Sequence, residues 1–182
     1  VLVAEGPYFE NVNFMGKAVT VASHFIMDGD TNHISHTIIN GSYPANPDFA
    51  SAVTFNTGED TTSVLIIDNK ITGNMVTSNL KVLGGGIYMY NGSKFSNFKK
   101  YNFQQQRLLE LALPGYGGGI YMEGIYPQAP ESNPVIEKNH ITGNTANYGG
   151  GISCVTMGVN MINNFISWNE AGYAGGGIDF NG

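Results

Sequence analysis

The feature that most constrains this chain is a recurring Gly-Gly-Gly-Ile motif. It occurs four times, 33, 32 and 26 residues apart, at Gly84–Ile87, Gly117–Ile120, Gly149–Ile152 and Gly175–Ile178. A second motif, Asn-x-Ile-(Thr/Ser)-x-Asn, precedes the glycines at Asn69–Asn74, Asn139–Asn144 and Asn164–Asn169. Two motifs in a fixed order at this period indicate a repeat architecture, in which stacked units bury one continuous core.

Each repeat consists of short strand-like stretches separated by turns. In Ile87–Tyr90, aliphatic and aromatic residues alternate, which predicts a strand with one buried face. Glycine at the corner removes the Cβ where the backbone must turn sharply. The asparagines that we expect to stack and to bond through their amides are Asn74, Asn144 and Asn169. The predicted fold is all-β, a right-handed parallel β-helix, which is an elongated solenoid.

Composition fits this fold and disfavours several other classes of protein. Only 12% of the residues are charged and 42% are hydrophobic, which argues against a disordered chain. The net charge of −6 disfavours nucleic acid as a partner. No apolar run approaches the roughly 18 residues that a membrane-spanning helix needs, so we expect no membrane insertion. The single cysteine, Cys154, precludes an internal disulfide and is expected to be a small buried hydrophobe.

Residues 94–113 interrupt the repeat. They hold four of the eight basic residues, and their second half is the only helix-like run in the chain, so we predict an irregular or partly helical excursion there. Insertions in solenoids form loops on one face, which favours a binding role for this excursion. Alternatively, two compensating frame slips created it, since with suitable codons the shifted frame encodes Asn-Thr-Ile-Ser-Asn-Asn. The nucleotide sequence distinguishes these two hypotheses.

The first 23 residues resemble the opening coils of pectin-lyase-like right-handed β-helix proteins. In these proteins a Gly-x-Tyr-x-Glu stretch, here Gly6–Glu10, leads into a Gly-Lys-x-Ile-x-Val strand, here Gly16–Val21 with valine in place of isoleucine. The later Asn and Gly motifs look like the parallel β-helix repeats of large exported bacterial proteins. The resemblance implies a secreted or cell-surface protein. It does not choose between the polysaccharide lyases, hydrolases, esterases and non-enzymatic adhesins of this superfamily.

The residues that the enzymes of this superfamily use are poorly represented here. A lyase needs a base for proton abstraction, and the one arginine, Arg107, lies within 94–113. A glycosidase of the polygalacturonase type needs clustered aspartates, whereas Asp68 and Asp179 are isolated. The chain also lacks the catalytic motifs of pectin esterases. We therefore expect a non-catalytic scaffold that binds carbohydrate or acts as an adhesin, and a fragment of a polysaccharide lyase or hydrolase is the alternative.

Two polar stretches are candidates for a metal site. The segment Asp28–Asn32 alternates oxygen ligands as calcium loops do, but His33 and Ile39 occupy the positions where such a loop has glycine and glutamate. His24, His33 and His36 lie close together, but their spacing matches no metal-binding motif. We expect polar turns and no cofactor, and calcium at the aspartates stays the open alternative.

Alignment of the repeats at the glycine motif predicts two outward-facing columns of side chains. One column is Tyr88, Tyr121, Ser153 and Asp179, and the other is Tyr90, Glu123, Val155 and Asn181. Tyrosine rings stack on sugars, and nearby polar groups bond their hydroxyls. The predicted carbohydrate-binding residues are therefore Tyr88, Tyr90, Tyr121, Glu123 and Asp179. The alternative is that the aromatic rings only stabilise neighbouring strands.

The extent of the domain and its partners follow from the repeat. We expect residues 1–182 to form a single β-helix domain taken from a longer protein, because the sequence starts and stops within strand-like stretches. Terminal repeats of solenoids carry caps, and no cap is recognisable in the sequence. Unprotected strand edges pair with other edges, so we expect end-to-end self-association. A polysaccharide or cell-surface glycan is the other expected partner.

Overall fold

The computed structural model describes most of the chain in backbone and side chains. The described residues are 1–17, 19–43, 51–57, 84–90, 114–124 and 134–181. The backbone alone is described for 64–67, 70–72, 75–76, 98–99, 102–104 and 107–108. Asn74 and Asp68 therefore lie outside the described residues, as do the remaining parts of 94–113.

Short strands make up the fold. The first nine are β1 (Leu2–Val3), β2 (Gly6–Tyr8), β3 (Val12–Asn13), β4 (Val19–Ser23), β5 (Thr37–Asn40), β6 (Val53–Phe55), β7 (Val64–Ile67), β8 (Lys70–Thr72) and β9 (Met75–Val76). The rest are β10 (Ile87–Tyr90), β11 (Phe98–Lys99), β12 (Asn102–Gln104), β13 (Arg107–Leu108), β14 (Ile120–Glu123), β15 (Val135–Glu137), β16 (His140–Thr142), β17 (Thr145–Tyr148), β18 (Ile152–Val155), β19 (Asn160–Ile162), β20 (Phe165–Ser167), β21 (Glu170–Ala174) and β22 (Ile178–Asn181). The prediction of an all-β chain is confirmed.

The strands form four sheets in which all the described pairings are parallel. The strand orders are β1-β4-β7-β11-β15-β19 in sheet A, β2-β5-β8-β12-β16-β20 in sheet B, β3-β6-β10-β14-β18-β22 in sheet C and β9-β13-β17-β21 in sheet D. Each strand pairs with its equivalent in the next repeat, so that Ile87 lies beside Ile120 and Ile120 beside Ile152. Parallel neighbours need a long crossover, and here the other sheets provide it.

Two short helices lie between β4 and β5. They are α1 (Phe25–Asp28) and α2 (Asn32–His36), and Gly29 ends α1 in the left-handed conformation with a φ of 77°. The sequence pattern did not predict helices here, because polar turn residues such as Asp28 and Asn32 dominate the segment. Of the helices in the described part of the chain, none has the length and apolarity to cross a membrane.

The core is a cluster of buried side chains from three of the sheets, with Ile136 from sheet A, Ile141 from sheet B and Ile152 from sheet C among them. In sheet C, the side chains of Ile87, Ile120 and Ile152 are stacked in register and completely buried. Met122 and Cys154 form part of the next inward column, and Cys154 is 1% exposed, as predicted. Each such buried side chain contributes about 1.5–3 kcal/mol to folding. Burial also raises the pKa of the Cys154 thiol to about 12, with a smaller effect from the charge of Asp179, so the thiol stays protonated.

The glycine triplets allow successive repeats to approach one another closely. The first glycine of the triplet adopts a left-handed backbone, with φ of 64° at Gly117 and 60° at Gly149. At the third position, a Cβ on Gly119 would lie 2.7 Å from the backbone oxygen of Gly151 in the next repeat. A side chain is therefore excluded for two separate reasons, the backbone conformation at one position and the packing between repeats at another.

Asparagine side chains join the last two complete repeats. Asn144 Nδ2 donates a hydrogen bond of 2.9 Å to Asn169 Oδ1, and Asn139 Nδ2 makes the same 2.9 Å bond to Asn164 Oδ1. Asn169 Nδ2 in turn donates to the backbone oxygen of Ile141 at 2.8 Å. Asn139 and Asn144 are fully buried, so these bonds satisfy polar groups that have no access to water. The stacking expected from the motif is present at Asn144 and Asn169.

The prediction of an irregular or partly helical excursion at 94–113 is wrong for the described residues of that segment. Residues 98–99, 102–104 and 107–108 are the strands β11, β12 and β13. They pair in parallel on both sides, for example Phe103 with Ile71 and with Ile141, and Arg107 with Met75 and with Thr145. Pairing on two sides satisfies the backbone of a strand, and this outweighs the local helix propensity of the segment.

Candidate functional site

The candidate site comprises residues of sheet C and three neighbouring tyrosines that lie outside this sheet. Tyr88, Tyr121, Ser153 and Asp179 are aligned on adjacent strands, as predicted. The second column is also in the predicted register, with Tyr90 beside Glu123. We define the tyrosine face as the surface formed by Tyr88, Tyr90, Tyr116, Tyr121, Glu123, Tyr148, Ser153, Tyr173 and Asp179.

Two stacks of tyrosine rings form the centre of this face. In the first stack, the rings of Tyr88 and Tyr121 are 5.9 Å apart at an interplanar angle of 15°. In the second, the rings of Tyr116 and Tyr148 are 5.0 Å apart at 11°. Tyr116 also lies 6.1 Å from Tyr121 and thereby joins the two stacks. Aromatic pairs of this kind contribute about 0.5–1.5 kcal/mol each beyond simple burial.

The sequence did not single out the second stack. Its rings belong to Tyr116 and Tyr148, which directly precede the glycine triplets, and to Tyr173, whose ring lies 5.4 Å from that of Tyr148. Tyr-Gly-Gly-Gly occurs at Tyr116–Gly119 and at Tyr148–Gly151, so this pattern is visible in the sequence. Tyr148 and Tyr173 lie in β17 and β21 of sheet D and Tyr116 forms an isolated bridge with Tyr148, however, so an alignment of the strands of sheet C did not include them.

Exposure on the tyrosine face differs from the expectation for its first column. Tyr121 and Ser153 were expected to face solvent, but both are 0% exposed. For Tyr121 the physical reason is that its ring is packed against Tyr88 on a neighbouring strand and against Tyr116, which precedes the glycine triplet. The rings that solvent reaches most easily are those of Tyr90, 41% exposed, and Tyr173, 65% exposed.

A carboxylate anchors the first stack. The Tyr121 hydroxyl donates a hydrogen bond of 2.8 Å to Glu123 Oε2, and Glu123 is only half-buried. Burial, and then this bond and charge, raise the pKa of Tyr121 far above its usual value. Burial, followed by the charge of Glu123, raises the pKa of Tyr88 to about 12. Both phenols therefore keep their protons at neutral pH and act as hydrogen-bond donors.

Asp179 supplies a second negative charge. Burial is the main cause that raises the pKa of Tyr116, and the charges of Tyr148 and Asp179 add to it. The hydroxyl of Ser153 lies 3.5 Å from Asp179 Oδ2. The tyrosine face thus combines neutral phenols with two carboxylates.

The two candidate metal segments form local polar contacts. Asp28 Oδ1 accepts a hydrogen bond from the Asp30 backbone N–H, and Asp30 Oδ1 accepts one from the Asn32 backbone N–H, each at 2.9 Å. These carboxylates therefore cap turns, which is the arrangement typical of aspartate in loops. Within the part of the chain that the structure describes, no group of three or more His, Cys, Asp or Glu side chains is placed to hold a metal ion.

The three neighbouring histidines have different surroundings. His33 bridges two carboxylates, with Nδ1 2.6 Å from Glu5 Oε1 and Nε2 3.1 Å from Asp28 Oδ2. The ring of His24 lies 5.8 Å from that of His33, and His36 Nδ1 contacts the backbone oxygen of Asn32 at 2.8 Å. Because both ring nitrogens of His33 face carboxylates, its protonated form is favoured. We call this arrangement the His33 bridge.

Comparison with protein-family models, with curated proteins and with solved structures finds no match for this chain.

Proposed function

We propose that this chain is a right-handed parallel β-helix of the pectin-lyase-like type. The order of strands supports the proposal, since sheets A, B and C each receive one strand from each of six repeats, sheet D receives one from each of the last four, and all the described pairings are parallel. The right-handed sense is supported by the strong preference of parallel crossover connections for that hand. Stacked glycines and asparagines at the corners are what such a fold needs, because equivalent residues of adjacent coils lie about 4.8 Å apart.

Its proposed role is that of a non-catalytic scaffold, secreted or displayed at the cell surface, that binds carbohydrate along the tyrosine face. The observation that carries this proposal is the register-aligned tyrosine face, in which the exposed ring of Tyr90 is the register partner of half-buried Glu123 and the exposed ring of Tyr173 lies against that of Tyr148. The buried ring of Tyr121 and the half-buried rings of Tyr88, Tyr116 and Tyr148 serve as a rigid support. Rigid aromatic side chains lose little conformational freedom on binding, which favours them in sugar-binding surfaces.

A catalytic role receives less support from the residues on this face. The six strands of sheet C, as the structure describes them, contain no lysine, arginine or histidine that would act as a base. A lyase needs such a base beside an acidic sugar, and a hydrolase needs an acid and a base at opposite sides of the bond that is cleaved. A fragment of a carbohydrate-active enzyme remains the alternative that the test below separates from the scaffold.

The test is a glycan array with the purified 182-residue chain, followed by the variants Tyr90→Ala and Tyr173→Ala. We expect binding to selected glycans and a loss of about 5- to 30-fold for each variant, since each removes roughly 1–2 kcal/mol of ring contact. Trp168→Ala is the matched control, because Trp168 is 88% exposed and lies outside the tyrosine face. Binding that depends on Trp168 alone would contradict the proposed site.

The same preparation tests the other parts of the proposal. Incubation with acidic polysaccharides, with and without calcium, is expected to give no product, and measurable turnover would favour the enzyme alternative. Strands β19, β20, β21 and β22 lie at the edges of their sheets, so end-to-end self-association is expected in light scattering. Antibody labelling of intact source cells and of their medium tests the proposed location.

A further inference from the structure

We infer that the tyrosine face prefers glycans that carry protonated amino groups over neutral glycans, and that it rejects glycans built from uronic acids. This inference rests on the proposed carbohydrate binding and adds the class of sugar. It identifies a chemical group on the ligand, an ammonium on a sugar ring, that the charges and aromatic rings of this face would recognise together.

In the part of the face that sheet C forms, the charge has one sign. The strands of sheet C, all of them described with their side chains, contribute Glu123 and Asp179 and neither lysine nor arginine. Both carboxylates affect the tyrosines around them. The charge of Glu123 helps to raise the pKa of Tyr88 and of Tyr121, and the charge of Asp179 helps to raise the pKa of Tyr116. A uronate placed on these rings would lose hydrating water and would lie near carboxylates of the same charge. Both effects are unfavourable.

Aromatic rings add a second attraction for a cation. Tyr90 and Glu123 are register partners on adjacent strands, so an accessible ring and a carboxylate lie side by side. A cation over a tyrosine ring gains about 0.5–1 kcal/mol at an exposed site. A neutral sugar gains the ring contact alone. An amino sugar gains the ring contact, the attraction of its ammonium to the carboxylates and the interaction of the ammonium with the ring.

Glu123 is suited to this role because its carboxylate is held in place. Oε2 accepts the hydrogen bond from the Tyr121 hydroxyl, and Tyr121 is itself fixed between Tyr88 and Tyr116. A carboxylate that is already fixed by a hydrogen bond loses less conformational entropy on binding than a freely rotating glutamate side chain. By contrast Glu137, on sheet A, is paired with Lys138 at 2.8 Å and has its charge compensated.

The experiment compares three oligosaccharide probes of equal length by isothermal titration calorimetry at low salt and pH 6. They are oligoglucosamine, its fully N-acetylated form and oligogalacturonate. We expect oligoglucosamine to bind roughly 3- to 30-fold more tightly than the acetylated form. Oligogalacturonate should bind most weakly, and added salt should weaken only the binding of oligoglucosamine.

The variant Glu123→Gln keeps an acceptor for the Tyr121 hydroxyl but removes the charge. It is expected to bring oligoglucosamine close to the affinity of the acetylated probe and to leave the acetylated probe unchanged. Asp179→Asn should act in the same direction, and Glu137→Gln is the matched control that should change nothing. Unfolding temperatures measured on each variant exclude loss of structure as the cause.

The outcomes distinguish this inference from the proposed function. Equal affinity for the aminated and acetylated probes, or tightest binding of oligogalacturonate, would overturn the charge preference while carbohydrate binding stands. A preference for amines that persists in both Glu123→Gln and Asp179→Asn would also overturn it, because the preference would then arise elsewhere on the chain. Absence of binding to any glycan would overturn the proposed function and this inference with it.

Discussion

The tyrosine face and the His33 bridge are both surface arrangements, but different forces hold them. The tyrosine face is assembled by register, because equivalent residues of successive repeats are stacked by the sheets, and its central ring, Tyr121, is fully buried. The His33 bridge joins α2 to Glu5 near the start of the chain and to Asp28 in α1. Its contacts are polar and lie at the surface.

This difference predicts different sensitivities for the two regions. Each repeat in a stack packs against its neighbours, so a change at one glycine corner should disturb the tyrosine face on the adjacent repeats. A surface ion pair contributes little to stability and depends on pH and salt. The tyrosine face should therefore respond to changes in volume, and the His33 bridge to changes in protonation.

The largest expected effect comes from the variant Gly150→Ala. Its Cβ would clash with the backbone oxygen of Glu170 and lie 2.7 Å from the backbone oxygen of Gly176. Backbone atoms at these positions cannot move without breaking the stack, so we expect a loss of about 3 kcal/mol in the free energy of unfolding. Urea denaturation followed by circular dichroism measures this loss.

Gly172→Ala is the matched control for that variant. Gly172 also lies in the last repeats, but a Cβ there would meet no atom closer than 3.4 Å, the distance to Asn147 Nδ2. We expect a change within about 0.5 kcal/mol. Equal losses for the two variants would contradict the close approach of repeats at the glycine triplets.

A smaller effect is expected for Tyr121→Phe. The change keeps the aromatic ring in its stack and removes the hydroxyl that bonds Glu123, which should cost about 1 kcal/mol of stability. Tyr173→Phe is the control, because Tyr173 is 65% exposed and loses little. Thermal unfolding of both variants provides the measurement, and a larger loss for Tyr173→Phe would contradict the buried position of Tyr121.

The smallest effect is the pH dependence of the His33 bridge. The hydrogen bond to Glu5, and then that to Asp28, raise the pKa of His33 above 6.5. A backbone bond from Asp30, and then the side-chain bond to His33, lower the pKa of Asp28 below 3.8. The stabilisation by His33 is thus complete below pH 6.5 and is lost as the pH rises through the raised pKa, whereas that by Asp28 is present above pH 3.8 and is lost as the pH falls.

The His33 bridge should therefore be strongest between pH 3.8 and 6.5. The difference in unfolding free energy between the wild type and His33→Ala measures its contribution at each pH. We expect this difference to shrink above pH 6.5, while His36→Ala, whose ring contacts the backbone oxygen of Asn32, serves as the control. A difference that grows with rising pH would contradict the protonated bridge.

Sequence patterns predicted the positions marked by the repeat motifs well and the segment that lacks these motifs poorly. The alignment of Tyr88, Tyr121, Ser153 and Asp179 followed from the spacing of the glycine motif and is confirmed. The described part of 94–113 was assigned wrongly, because local helix propensity was weighed without the strands that lie on both sides of it. Pairing with β8 and β16 across sheet B is invisible in a local window of sequence.

What the sequence alone determined is the period and register of the repeats. Left-handed corners and close backbone contacts demand glycine, and buried turns demand asparagine, so each local requirement leaves a residue in a fixed place along the chain. What only the tertiary structure decided is which side chains reach solvent. Tyr121 is packed against the rings of Tyr88 and Tyr116, and His33 lies between carboxylates of two different segments. Such contacts depend on the distances between segments in space, which spacing along the chain does not encode.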